Sequence, residues 1–113
     1  MHEYTVRITP SALKDIEELA EFYLELVGEE SASKFSDAII ETIENLDSFP
    51  EANTYFDKEH NLRRVLVKNY KVSVVYIVDG GVYEVVAFGA FHTSGKPSVY
   101  TKKLIQRLKS LEE

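Results

Sequence analysis

The chain has 113 residues, 44% of them hydrophobic, no cysteine and a formal net charge of −6. That length supports one domain with its own core, and the lack of cysteine excludes a disulfide framework and any cysteine-based zinc site. No stretch approaches the roughly 20 apolar residues of a membrane span and no basic-then-apolar leader opens the chain, so the expectation is one soluble cytoplasmic domain over residues 1–113.

Glu3-Tyr4-Thr5-Val6-Arg7-Ile8 alternates with period two and predicts a first strand. Thr9-Pro10 then opens a helix, with Thr9 as N-cap and Pro10 at the first helical position, where a missing N–H costs nothing. Its apolar stripe runs through Leu13, Ile16, Ala20, Tyr23 and Val27, widened by Leu19 and Leu24, and Gly28 ends it. The carboxylates Asp15, Glu17, Glu18, Glu21 and Glu25 read as its solvated face. A second helix is expected from about Ser31, with Phe35, Ile39, Ile43 and Leu46 on one side, closed by Phe49-Pro50. Two helices joined so closely pack antiparallel. Glu51 to His60 reads as a polar connection anchored by Tyr55 and Phe56.

From Asn61 to His92 the pattern is a three-stranded antiparallel meander, rich in β-branched and aromatic residues. Asp79-Gly80-Gly81 supplies the tight turn of its second hairpin. With a two-residue turn, odd positions before it share a face with even positions after it. Lys71 and His92 are then expected on one face, beside Ser73, Glu84, Val75, Ile77, Val86 and Phe88. The other face carries Val72, Val74, Tyr76, Tyr83, Val85 and Ala87 and reads as the main core layer. Arg63 and Arg64 point to opposite faces of one strand. Thr93-Ser94-Gly95-Lys96 reads as a loop. A last amphipathic helix follows from Pro97 or Ser98, with Tyr100, Leu104, Leu108 and Leu111 as its apolar stripe and Lys102, Lys103, Arg107 and Lys109 over much of the rest. With one apolar stripe, it is expected to be the mobile part.

The net charge hides an asymmetry. Residues 11–51 hold twelve acidic side chains against two basic, whereas residues 58–111 hold ten basic against three acidic. Either solvated helix faces happen to be acidic, or the basic half meets a polyanion or an acidic partner segment.

The order of strand, two-helix hairpin, meander and C-terminal helix resembles the RelE/ParE toxin superfamily. The residues that carry the resemblance are Thr9-Pro10 with Asp15-Ile16, Leu46-x-x-Phe49-Pro50, Leu62-Arg63-Arg64, Tyr70-Lys71 followed by Val75-Tyr76, and Phe91-His92. It covers residues 4 to about 97 and is closer to the ParE, plasmid-stabilisation branch. It implies an α+β fold with the helix hairpin packed on a mostly antiparallel sheet of three or four strands. It also implies the toxin half of a type II toxin–antitoxin pair, bound in a hetero-oligomer to a cognate antitoxin that neutralises it. In the ParE branch the target is DNA gyrase and no catalytic residue is involved; in the RelE branch the toxin is an endoribonuclease cleaving messenger RNA on the ribosome. A toxin that only binds its antitoxin is the third reading.

RNA cleavage through the 2′-OH needs help in deprotonation, cations for the crowded phosphate and a donor for the leaving oxygen. By the resemblance, Lys71, His92 and Tyr100 would fill those roles, with Arg63 or Arg64 nearby. Lys71 replaces an arginine of the ribonuclease branch and cannot clamp a phosphate through two parallel bonds. Against those roles, a lone His at a strand end is most often a surface residue, Lys71 reads as a solvated charge, and Tyr100 falls on an apolar stripe. Arg63, Arg64, Lys68, Lys102, Lys103 and Arg107 form the expected binding surface. No cofactor is implied, and His2, His60 and His92 lie too far apart for the usual zinc spacing. The acidic total and the change at Lys71 favour the non-catalytic mode.

Overall fold

The computed structural model describes residues 3–93 and 97–112. His2 and the Ser94–Lys96 part of the expected loop lie outside these residues, as does the Leu111 side chain. Strand β1 (Thr5–Ile8) is followed by α1 (Pro10–Val27) and α2 (Glu29–Glu44). Strands β2 (Tyr55–Asp57), β3 (Leu62–Leu66), β4 (Val72–Asp79) and β5 (Glu84–His92) come next, and α3 (Pro97–Glu112) ends the chain. One five-stranded sheet results, in the order β1-β5-β4-β3-β2, antiparallel except for the parallel pair of β1 with β5. The sheet is thus one strand larger than expected: Tyr55–Asp57, read as connection, adds to its edge. Three residues are too few for a period to show.

Local chemistry sets the helix ends. Thr9 Oγ1 accepts the Ala12 N–H at 3.2 Å, and Pro10 occupies the first turn. Gly28, at φ 89°, closes α1 and opens α2 within one residue, so α2 starts two residues before the expected Ser31.

The helix hairpin covers one sheet face. There Ile16, Phe35, Ile39, Ile43 and Leu46 pack on Val72, Val74, Tyr76, Val85, Ala87 and Ala90. The α1 stripe is rotated from its expected position, since Leu13, Leu24 and Val27 are exposed while Ala12 is fully buried. α3 covers part of the other face, with Leu104 buried among Leu62, Val75, Phe88 and Phe91, and Tyr100 and Leu108 against them.

The β4–β5 hairpin departs from the expected geometry twice. Asp79 pairs with Glu84, so four residues form the turn, and the left-handed conformation falls on Tyr83 (φ 52°), not on the glycines. The Tyr83 ring packs edge-on against Tyr4, 5.4 Å between centroids, and its carbonyl accepts the Thr5 N–H. Farther along, the register slips: Tyr76 faces Ala87 but Val75 faces Gly89. Phe88 is the extra residue of a β-bulge, and beyond it odd and even positions exchange faces. A Cβ at Gly89 would collide with Leu104 Cδ2, so the residue after the bulge has no room for a side chain under α3.

At this bulge, just past the end of β1, Asp15 and Arg107 meet. The guanidinium donates to both carboxylate oxygens, Nη1 to Oδ2 at 2.7 Å and Nη2 to Oδ1 at 3.0 Å. Arg107 Nη1 also donates to Phe88 O at 3.0 Å, and Asp15 Oδ2 accepts the Ala90 N–H at 3.1 Å. Asp15 therefore does not belong to the solvated face, and this clasp gives α3 a second attachment besides its apolar stripe.

A second network ties residues 50–55 to the sheet. The Tyr76 hydroxyl donates to Pro50 O at 2.7 Å and accepts from Asn53 Nδ2 at 2.9 Å. Burial pushes this phenol above its ordinary value near 10, the Asn53 hydrogen bond opposing in part.

Two predictions follow from the clasp and from Tyr76. Arg107→Ala and Asp15→Ala should each destabilise the fold by about 2–4 kcal/mol, because each leaves a largely buried charge unpaired. In urea unfolding the double variant should cost much less than the sum of the two. Tyr76 in the unfolded chain loses its proton near pH 10 while the folded chain still holds it, so folding stability falls as pH rises above about 10 and is untouched below. Melting temperatures between about pH 9 and 11 should decline less steeply in Tyr76→Phe than in the parent chain.

Candidate functional site

The bulge decides where the candidate residues stand. Val72 pairs with His92, so His92 shares the helix-hairpin face with Val72. Tyr70 stacks edge-on against Tyr23 and Phe35, at 5.9 and 5.1 Å between centroids, which turns the neighbouring Lys71 to the opposite face. Lys71 and His92 therefore do not share a face, contrary to expectation, because the two-residue-turn argument contains no bulge. Their segments stay adjacent through the backbone, where Thr93 N–H donates to Lys71 O at 2.8 Å.

Two hollows result. One, of about 200 Å³, lies between α1, α3 and the end of β5, and it brings His92, Tyr100, Lys103 and Arg107 together with Asp15 and Glu18. Its chemistry is limited. The Tyr100 ring is stacked on Phe91 at 4.4 Å and 15°, so it is held as a packing surface, and Arg107 is engaged by Asp15. Phe22 stands 61% exposed at the rim.

The other hollow, of about 510 Å³, lies on the opposite face beside β3 and β4. Arg64, Ser73, Thr93, Thr54 and Asn53 line it, with Leu66 and Ala52. One guanidinium among hydroxyls and an amide can hold an anionic oxygen, and Lys71 lies on this same face.

The expected binding surface divides in the same way. Arg63, opposite Tyr76, donates to Glu51 O, Asn53 O and the Tyr55 hydroxyl at 3.0, 2.7 and 2.9 Å. Its guanidinium carbon also sits 4.1 Å from the Tyr55 ring centroid. Arg63 and Arg107 thus serve the fold. Arg64, Lys68, Lys71, Lys102 and Lys103 are exposed, the last two along α3. Asp15 and Asn53 escaped the sequence reading. The signal for Asp15 was its place between Ala12 and Leu19 at helical spacing, on the side that turns inward.

A family profile described as the ParE toxin of the type II toxin–antitoxin system, parDE, matches residues 6–90. Among solved structures, the chain is similar to one from the chromosomal ParDE toxin–antitoxin system of P. aeruginosa, at 19% identity over 81% of this chain and 98% of that one, with a TM-score of 0.71. It is also similar to one from the RelBE2 toxin–antitoxin complex of Mycobacterium tuberculosis, at 20% identity over 81% and 93%, with a TM-score of 0.60. For the isolated RelE toxin of E. coli the identity is 16% over 91% and 97%, and the TM-score 0.50. No curated protein sequence matches significantly. At these identities the structural likeness carries the fold, while the profile match spans most of the chain. This chain therefore belongs to the ParE toxin family of type II toxin–antitoxin systems.

Proposed function

We propose that this toxin acts in the ParE manner, arresting growth by binding a DNA-gyrase-type target in the cytoplasm without carrying out a reaction on it. The observation that carries this reading is the dispersal of the candidate ribonuclease set. Lys71 and His92 project from opposite faces, Tyr100 is stacked on Phe91 on the side of His92, Arg63 is engaged by the carbonyls of Glu51 and Asn53, and Arg64 lies beside the other hollow. A transition state at one phosphate needs its base, cations and acid within hydrogen-bond reach of a single point. Here the set is divided, with His92 and Tyr100 lining one hollow and Lys71 and Arg64 on the face of the other.

Neutralisation by a cognate antitoxin is part of the same proposal. Arg64, Lys68, Lys102 and Lys103 are exposed cations that suit an acidic segment, and the similar ParDE and RelBE2 structures are described as toxin–antitoxin assemblies. No helix among the described residues is long and apolar enough to cross a membrane.

One observation favours a RelE-like endoribonuclease as the second reading. The larger hollow places Arg64 beside Ser73 and Thr93 on the face that also carries Lys71. An active site there would use neither His92 nor Tyr100.

Induction of the chain without an antitoxin, with pulse-labelling of DNA and protein synthesis side by side, tests the proposal. DNA synthesis should fall first, and His92→Ala should leave the arrest intact. Protein synthesis falling first would sink the gyrase reading. Abolished arrest in Arg64→Ala, with protein synthesis the first process affected in the parent chain, would place the chemistry in the larger hollow.

A further inference from the structure

The turn joining β2 to β3 carries Asp57, Glu59 and His60, and one potential ligand atom from each lies within 4.8 Å of the others. His60 Nδ1 stands 3.1 Å from Asp57 Oδ2. Neighbouring ligands around a divalent ion bound at ~2.0–2.2 Å stand about 2.9–3.5 Å apart, so this pair already has the spacing of a coordination edge. The other Asp57 oxygen, Oδ1, accepts the Glu59 N–H at 3.1 Å, which fixes the carboxylate with Oδ2 toward the imidazole.

Three further features favour a cation. Among the described residues, neither Asp57 nor Glu59 has a Lys or Arg within ion-pair distance, so two carboxylates share one imidazole. Lys58, between them in sequence, lies instead over the Tyr55 ring, 6.0 Å from its centroid. Beside His60, a hollow of about 380 Å³ bounded by Ile77, Asp79 and Leu108 leaves that side of the residue open to water.

We propose that this turn binds a late first-row divalent cation of the Zn²⁺ kind, with Asp57 Oδ2, a Glu59 carboxylate oxygen and His60 Nδ1 as protein ligands and water in the remaining positions. The imidazole nitrogen selects this class over Mg²⁺ and Ca²⁺, which take oxygen ligands. Carboxylates replace the histidines and cysteines whose spacing the sequence lacks. A bound ion neutralises the turn and ties it to the end of β2, a strand only three residues long at the sheet edge. None of the three ligands lines either of the two hollows that contain candidate toxin residues.

Calorimetric titration of the untagged full chain with ZnCl₂, paired with thermal melts, tests the site. The expected result is saturable one-site binding and a melting temperature that rises with ZnCl₂ but not with MgCl₂. His60→Ala, Asp57→Asn and Glu59→Gln should each weaken binding about tenfold or more, whereas His92→Ala should leave it unchanged. Glu59→Gln alters an exposed side chain outside the hydrogen bonds of the turn, so it remains informative if another variant fails to fold. Absence of saturation up to about 1 mM ZnCl₂ would overturn the proposal, since that corresponds to only ~4 kcal/mol of binding free energy. Binding that survives both His60→Ala and Glu59→Gln, or that MgCl₂ reproduces, would overturn it as well.

Discussion

The ion pair of Asp15 with Arg107 at the β5 bulge holds the two sides of the sheet together. The side chains are only 12% and 17% exposed, and the pair is bidentate, with each partner also bonded to the β5 backbone. An ion pair removed this far from water gains little net stability over apolar side chains of the same volume. Its value is geometric. It fixes where α3 crosses the strand, and it occupies Phe88 O and the Ala90 N–H, backbone groups that β1 no longer reaches. The Gly89 position, where a Cβ would strike Leu104, lets the helix come that close.

The same bulge divides the candidate site. Because β5 changes faces at Phe88, His92 joins the hairpin side while Lys71, Arg64 and Ser73 remain on the side of α3. What the toxin presents is therefore two surfaces, a partly apolar cleft between α1 and α3 and a polar hollow beside β3 and β4. A surface that binds a macromolecule tolerates such separation, because contacts contribute from many points. Chemistry at one phosphate does not.

Charge follows the layers. On α1 and α2 the acidic residues far outnumber Lys14 and Lys34, while the exposed Arg64, Lys68, Lys71, Lys102, Lys103 and Lys109 lie on β3, on the turn before β4 and on α3. A net charge of −6 thus coexists with a basic face, and an acidic protein segment or a polyanion approaching the molecule meets a potential that depends on its side of approach. Arg63 and Arg107, which count as basic in any tally by sequence, contribute less to that face because they are engaged inside the fold.

Period and capping were legible because they are local. The Thr9-Pro10 start, the Phe35–Ile39–Ile43–Leu46 stripe, the two apolar faces of β4 and the opposite directions of Arg63 and Arg64 follow from 3.6- and 2-residue repeats and stand as read. The family pattern was legible for the same reason, as short signals in a set order. What depended on distant partners was not. A three-residue strand acquires its identity only by pairing with β3, and the left-handed Tyr83 is tolerated beside Tyr4, 79 residues earlier. A bulge leaves no mark on the alternation of a strand as apolar as β5, and the carboxylate of Asp15 resembles its solvated neighbours until Arg107 arrives from 92 residues away. Sequence alone thus determined the helices, the longer strands and the family pattern. Tertiary packing decided which face each candidate side chain reached, because one extra residue in a ladder inverts every position beyond it.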